Sequence, residues 1–259
     1  MTSSLKSTSV GRTLILTISN LAFKNALSPE IYAAGVEALN AAETNPEIRS
    51  VIVTGEGSGF CAGGNLQRLL ANRQQPKKVQ AQNIDGLHNW IDSIRTYPKP
   101  IIAAVEGAAA GAGFSLVLAC DFCVAASDAV FVMSYSTVGL SPDGGGSWAL
   151  GRALPRQLTS ELLMCGERIS AQRLFDFGLV NRVCSSGGAL QDALALAEKL
   201  NARAPNTLAS IKELLNDAVG SSLNQHLKLE RDHFVRNLHN ANGGEGIAAF
   251  LAKRTPHYR

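Results

Sequence analysis

The sequence predicts an α/β protein with a mixed core over residues 1–200 and a helical region over 201–259. Three observations carry this: strand-like segments alternating with helix-like ones, two glycine-rich loops that each lead from a strand into a helix, and a helical pattern from Ala189 to the end.

The elements follow in order. Met1–Ser9 is polar with one Lys and no hydrophobic stretch, so an unprocessed chain is expected. Thr13–Ser19 alternates apolar and polar side chains, Ser50–Gly55 is rich in β-branched residues, and Lys99–Val105 is a short apolar run; all three read as strands. Between them, Ser28 and Pro29 form an N-cap and first-turn pair, after which Ile31, Val36 and Leu39 share a helix face. Ile84, Leu87, Ile91 and Ile94 repeat that spacing before Pro98. Strands are expected at Phe122–Ala125 and Val130–Met133, then helices around Leu158–Cys165 and Ala171–Phe177, the second stopped by Gly178. In the tail, breaks are expected at Ala204–Pro205, Gly220 and Gly243–Gly244. No internal repeat is visible.

Composition narrows the class of function. With 46% hydrophobic and 17% charged residues in 259, the chain can bury a full core without disulfides or metal. A net charge of +3 without Lys/Arg clusters argues against nucleic acid and suits a small anionic ligand. No segment approaches the roughly 20 apolar residues of a membrane helix, so a cytoplasmic protein is expected. Cys61, Cys120, Cys123, Cys165 and Cys184 are odd in number and have largely apolar or small neighbours, the pattern of reduced, buried thiols.

The chemistry centres on the two loops, Gly55–Gly64 (GEGSGFCAGG) and Gly107–Gly113 (GAAAGAG). Small residues let a ligand approach the backbone, and free N–H groups at a helix start favour developing negative charge. One such loop alone is better explained as a tight turn; two after consecutive strands favour function. Nucleotide binding fits poorly, because Phe60 takes the third glycine position of the dinucleotide fingerprint and no acidic residue lies near 75. No phosphate-binding G-x-x-x-x-G-K-[ST] and no G-x-S-x-G nucleophile elbow occurs. Cys120-Asp121-Phe122-Cys123 lacks the second pair of a zinc site and falls in an expected buried strand. His226, His233 and His239 read as part of a solvated helix.

At the same loops the chain resembles the enoyl-CoA hydratase/isomerase (crotonase) superfamily. Phe60–Leu66 (FCAGGNL) is similar to F-[SC]-A-G-x-D-[LI], with Asn65 at the acidic position, and Gly107–Asp121 is similar to G-x-[AC]-x-G-G-G-x-x-L-x-x-x-C-D. Asn25-Ala26-Leu27, Gly166–Ala171 and Phe250–Pro256 match further family segments in the right order, across nearly the whole chain. The resemblance implies a ββα spiral core, an acyl-CoA thioester as substrate, no cofactor beyond its CoA, and a homotrimer or dimer of trimers. It also places an oxyanion hole at the N–H groups of Gly64 and Ala112. The physics supports such a site, since fixed dipoles stabilise a thioester enolate more than the ground-state carbonyl.

The typical hydratase uses two glutamates, whose positions here hold Ser115 and Tyr135, so that pair is missing and both residues are expected only to line the substrate pocket. One carboxylate remains, in Pro142-Asp143-Gly144-Gly145-Gly146-Ser147-Trp148. Alone, Pro-Asp-Gly commonly makes a solvent turn. Within the resemblance, Asp143 is similar to the single Asp of some superfamily isomerases and of the dehalogenase branch, and is expected to be the base. The segment and the tail most resemble the ring-epoxide phenylacetyl-CoA isomerases. By resemblance too, CoA would lie along Ala22, Lys24 and Ala26 and along Ala62, Asn65 and Leu66, with Phe250 and Lys253 reaching the CoA of a neighbouring subunit. The expectation is a double-bond isomerase; a hydratase or hydrolase with an unusual site, and a non-catalytic acyl-CoA binder of the same fold, are the alternatives.

Overall fold

The computed structural model describes residues 3–259; Met1 and Thr2, part of the polar start, lie outside it. In chain order the strands are β1 Ser4–Val10, β2 Thr13–Ser19, β3 Ser50–Gly55, β4 Ile101–Val105, β5 Ala108–Ala110, β6 Phe122–Ala126, β7 Val130–Val132, β8 Arg168–Ser170 and β9 Arg182–Cys184. The helices are α1 Pro29–Glu43, α2 Leu66–Asn72, α3 Lys77–Thr96, α4 Ala112–Ala119, α5 Gly146–Ala153, α6 Arg156–Ser160, α7 Ala171–Asp176, α8 Ala189–Asn201, α9 Pro205–Ala218, α10 Leu223–Leu238 and α11 Ala241–Leu251. A π-helical turn, Glu161–Cys165, continues α6.

Six strands form one sheet in the order β1-β2-β3-β4-β6-β9, and β5-β7-β8 form a second. From β2 to β9 the large sheet is parallel; β1 joins as an antiparallel hairpin partner of β2. Parallel strands covered on both faces become apolar on both. Accordingly Ile15, Ile52, Ile102 and Val124 meet Ala189, Ala193 and Ala197 of α8, whose four-residue spacing puts three methyl groups on one stripe. Leu14, Leu16, Val51, Val53, Ile101 and Ala103 face the main core with α1 and α3.

The helix signals operate as the sequence predicts. Ser28 accepts the Ile31 N–H and Pro29 opens α1. Leu87, Ile91 and Ile94 are buried along α3, with Ile84 at the edge of their stripe.

Several expectations are corrected. Ser4–Val10 is polar yet forms β1, because its ladder comes from hairpin pairing at the sheet edge rather than from burial. In β2 the expected half-buried alternation gives way to burial of Thr13, whose hydroxyl lies 3.0 Å from Ser50 Oγ and accepts the Asn201 side-chain N–H at 3.0 Å. The three-residue β5, β8 and β9 are too short to leave a periodic pattern and were not expected. The last helix does not break at Gly243–Gly244; the break falls one turn earlier, where Asn240 caps α11 through the Asn242 N–H. Cys165 is exposed, unlike the buried thiols Cys61 and Cys123. His233 is buried and pairs with Glu213 and Arg236, so the tail helix is not solvated along that face.

Candidate active site

The two glycine-rich loops lie against each other. The Cys61 N–H donates to the Ala108 carbonyl at 3.0 Å, and the Ala110 N–H donates to the Cys61 carbonyl at 2.8 Å, a one-residue parallel bridge. Glycine is required at this contact. A Cβ on Gly113 would stand 2.6 Å from the Cys61 carbonyl oxygen, and one on Gly63 would stand 2.6 Å from the Ala110 carbonyl oxygen and 3.2 Å from the Ala112 nitrogen. Gly63 also takes φ +83°, a conformation that side chains disfavour.

This packing brings Gly64 and Ala112 to one cleft. Among the described residues, neither N–H donates to a protein acceptor. Ala112 opens α4, whose first N–H groups have no partner inside the helix and carry its positive end. Gly64 and Ala112 both line a common cavity of about 1070 Å³, together with Leu66, Leu69, Leu70, Ile84, Val138 and Leu140. Apolar walls with a few polar groups are what a small-molecule site requires.

Asp143 lies in the same cleft, half-buried, on the loop before α5. Its carboxylate Oδ1 accepts the Tyr135 hydroxyl at 2.6 Å. Its carbonyl accepts the Ser115 hydroxyl at 3.0 Å and the Gly146 N–H at 3.2 Å. Burial pushes the Asp143 carboxyl above the usual carboxylate range, against the Tyr135 hydroxyl and the His88 ring, which favour its charged form. Burial also raises the Tyr135 phenol far above its ordinary value, assisted by the Asp143 charge, so this hydroxyl acts as a donor. Chemically, the arrangement offers one carboxylate of raised basicity in the same cleft as two unused backbone donors.

The other expected residues divide. Tyr135, Ala62 and Leu66 line the cleft. Ser115, expected to line it, is only 1% exposed and stands behind the wall, its hydroxyl committed to the Asp143 and Gly111 carbonyls. Ala26 is buried with its N–H given to Phe23 and its carbonyl accepting from Asn20, so it supports the loop instead of presenting a group to a ligand. Asn65 caps α2 by accepting the Arg68 N–H at 3.1 Å. Ala22 and Lys24 are exposed on the turn beside the loop; Lys24 has φ +51°, and its carbonyl accepts the Ala62 N–H at 3.0 Å. Phe250 and Lys253 lie at the end of α11 away from this cleft, Phe250 being 84% exposed. The sequence reading missed His88, which lines the cleft from α3 and accepts the Gly144 N–H at 3.4 Å. Its one available signal was its position four residues after Ile84, on the edge of the buried stripe.

This geometry agrees with comparisons across the whole chain. A sequence profile described as enoyl-CoA hydratase/isomerase matches residues 11–259, and the chain belongs to that family, with the crotonase fold. It is 34% identical to the 1,2-epoxyphenylacetyl-CoA isomerase of Escherichia coli K12 over 95% of this chain and 94% of that protein. It is 35% identical to the 2,3-dehydroadipyl-CoA hydratase of the same organism, over 96% and 95%. Among solved structures, an enoyl-CoA hydratase from Polaromonas sp. JS666 superposes with a TM-score of 0.98 at 76% identity, covering 99% of this chain and 100% of that one.

Proposed function

We propose that this acyl-CoA enzyme shifts a double bond in an enoyl-CoA, with Asp143 as the base and the N–H groups of Gly64 and Ala112 as the oxyanion hole. Asp143 removes a proton from the carbon beside the thioester. The resulting dienolate places its charge on the thioester oxygen, where the two fixed donors stabilise it, and the proton returns to a different carbon. Removing one such donor typically costs about 3 kcal/mol of transition-state stabilisation. The observation that carries this reading is a single half-buried carboxylate of raised basicity in the same cleft as two unpaired N–H groups. Tyr135 donates its hydrogen bond to the carboxylate and leaves the other oxygen free for proton transfer.

Hydration is the second reading, favoured by the hydratase relative at 35% identity. Against it stand Ser115 and Tyr135 at the positions of the missing glutamates. By the same resemblance, Phe250 and Lys253 reach the CoA of an adjacent subunit in a trimer or dimer of trimers. The experiment is an assay of the purified protein on a panel of enoyl-CoA thioesters, following ultraviolet absorbance and product mass together. Isomerisation changes absorbance at constant mass, whereas a product heavier by one water establishes hydration and overturns the isomerase reading.

A further inference from the structure

Asp143 stands on a backbone with little intrinsic stiffness. Gly144 and Gly145 follow it at φ +59° and +78°, and glycine has the most conformational freedom to lose. Three side chains hold the segment. The Tyr135 hydroxyl binds the carboxylate, the Ser115 hydroxyl binds the Asp143 carbonyl, and His88 Nε2 accepts the next N–H, that of Gly144, at 3.4 Å. Of these anchors, His88 comes from α3, a 20-residue helix held by the buried Leu87, Trp90, Ile91 and Ile94. The imidazole is exposed and lines the cleft, and among the described residues it makes no other hydrogen bond or ion pair.

We propose that His88 is a positioning residue for the reaction: by accepting the Gly144 N–H, it fixes where the Asp143 carboxylate stands relative to the Gly64 and Ala112 donors. This rests on the reading of Asp143 as the base. The hydrogen bond needs the Nε2 lone pair, so the neutral ring carries its proton on Nδ1. Displacing a catalytic group by about 1 Å costs on the order of 100-fold in rate, which is the scale on which a loosened Asp143 loop should be felt. A bland role in loop stability predicts a lower melting temperature and an unchanged turnover in folded protein.

The test compares full-length wild type with His88→Leu, His88→Gln and Asp143→Asn on the enoyl-CoA thioester that the wild type turns over fastest. His88→Leu is expected to lower kcat about 10- to 100-fold with KM within about threefold, the signature of a lost transition-state alignment. His88→Gln keeps an acceptor for the Gly144 N–H in its side-chain carbonyl and is expected to recover most of kcat. Independently of activity, the ¹⁵N spectrum of the wild-type neutral ring should show Nε2 without its proton. A His88→Leu kcat within about twofold of wild type, or a His88→Gln as slow as His88→Leu, overturns the positioning role alone if Asp143→Asn is inactive. An active Asp143→Asn overturns the base and with it this inference. If either His88 variant fails to fold, the tautomer decides, and a ring protonated at Nε2 overturns the proposal.

Discussion

At the scale of single residues, Asp143 joins a stability cost to a catalytic use. Its folded-state pKa lies above that of the unfolded chain because burial disfavours the charge. Between the ordinary carboxylate range and the raised value, the folded protein therefore binds more protons than the unfolded one. Stability falls as pH rises through that window, and the loss is complete above the folded value. Asp143→Asn carries no charge and should melt higher than wild type at pH 7, with the difference vanishing below the carboxylate range; calorimetry at both pH values checks this. The same substitution removes the base, so kcat should fall about 10²–10⁴-fold while CoA-ester affinity stays within a few fold. In the wild type, the acid limb of kcat/KM should lie above the ordinary carboxylate range.

At the scale of elements, two contacts should be sensitive. The Lys212 ammonium joins α9 to the core by donating to the Ile94 carbonyl at 2.8 Å and to the Asp121 carboxylate at 2.7 Å, and that carboxylate also accepts the Ile101 N–H at the head of β4. Breaking a buried pair from one side leaves an uncompensated charge, so Lys212→Ala should cost about 3–5 kcal/mol in denaturant unfolding near neutral pH. Burial already raises the Asp121 carboxyl, so protonation should relieve part of that loss in acid. The loop junction is the second contact. Gly113→Val places a branched side chain against Cys61, and at least the 1–3 kcal/mol typical of overpacking should appear in the unfolding midpoint. Activity should fall further than stability, because the same junction sets the spacing of the Gly64 and Ala112 donors.

At the scale of the whole molecule, the tail leaves Leu215, Leu223, Phe234, Phe250 and Leu251 exposed on α9, α10 and α11. Large exposed apolar side chains favour association where they form a patch, which suits the trimer or dimer of trimers that we propose. Light scattering of the wild type is expected to give three or six times the 27.4 kDa subunit mass. Phe250→Asp should shift that mass downward and weaken CoA-ester binding together, if the neighbouring subunit completes the site. A wild-type monomer at micromolar concentration would contradict both expectations.

What the sequence determined by itself is whatever short-range chemistry decides. Thr13–Ser19, Ser50–Gly55 and the start of α1 at Ser28-Pro29 fall where composition and capping place them, since those signals act within a few residues. The loops at Cys61 and Gly111 were legible because glycine marks where backbone must come close to backbone. Only the tertiary structure decided the rest. Strand β1 exists through its partner β2, and Ser115 turned out to be wall support instead of pocket lining because Asp143 folds back over it. His88 joined the site because α3, far away in the chain, crosses beside the Asp143 loop. Pairing, burial and convergence depend on contacts between residues far apart in the chain, 56 positions for Gly144 and His88 and 188 for Thr13 and Asn201, and no local pattern in the sequence encodes the distance between such groups.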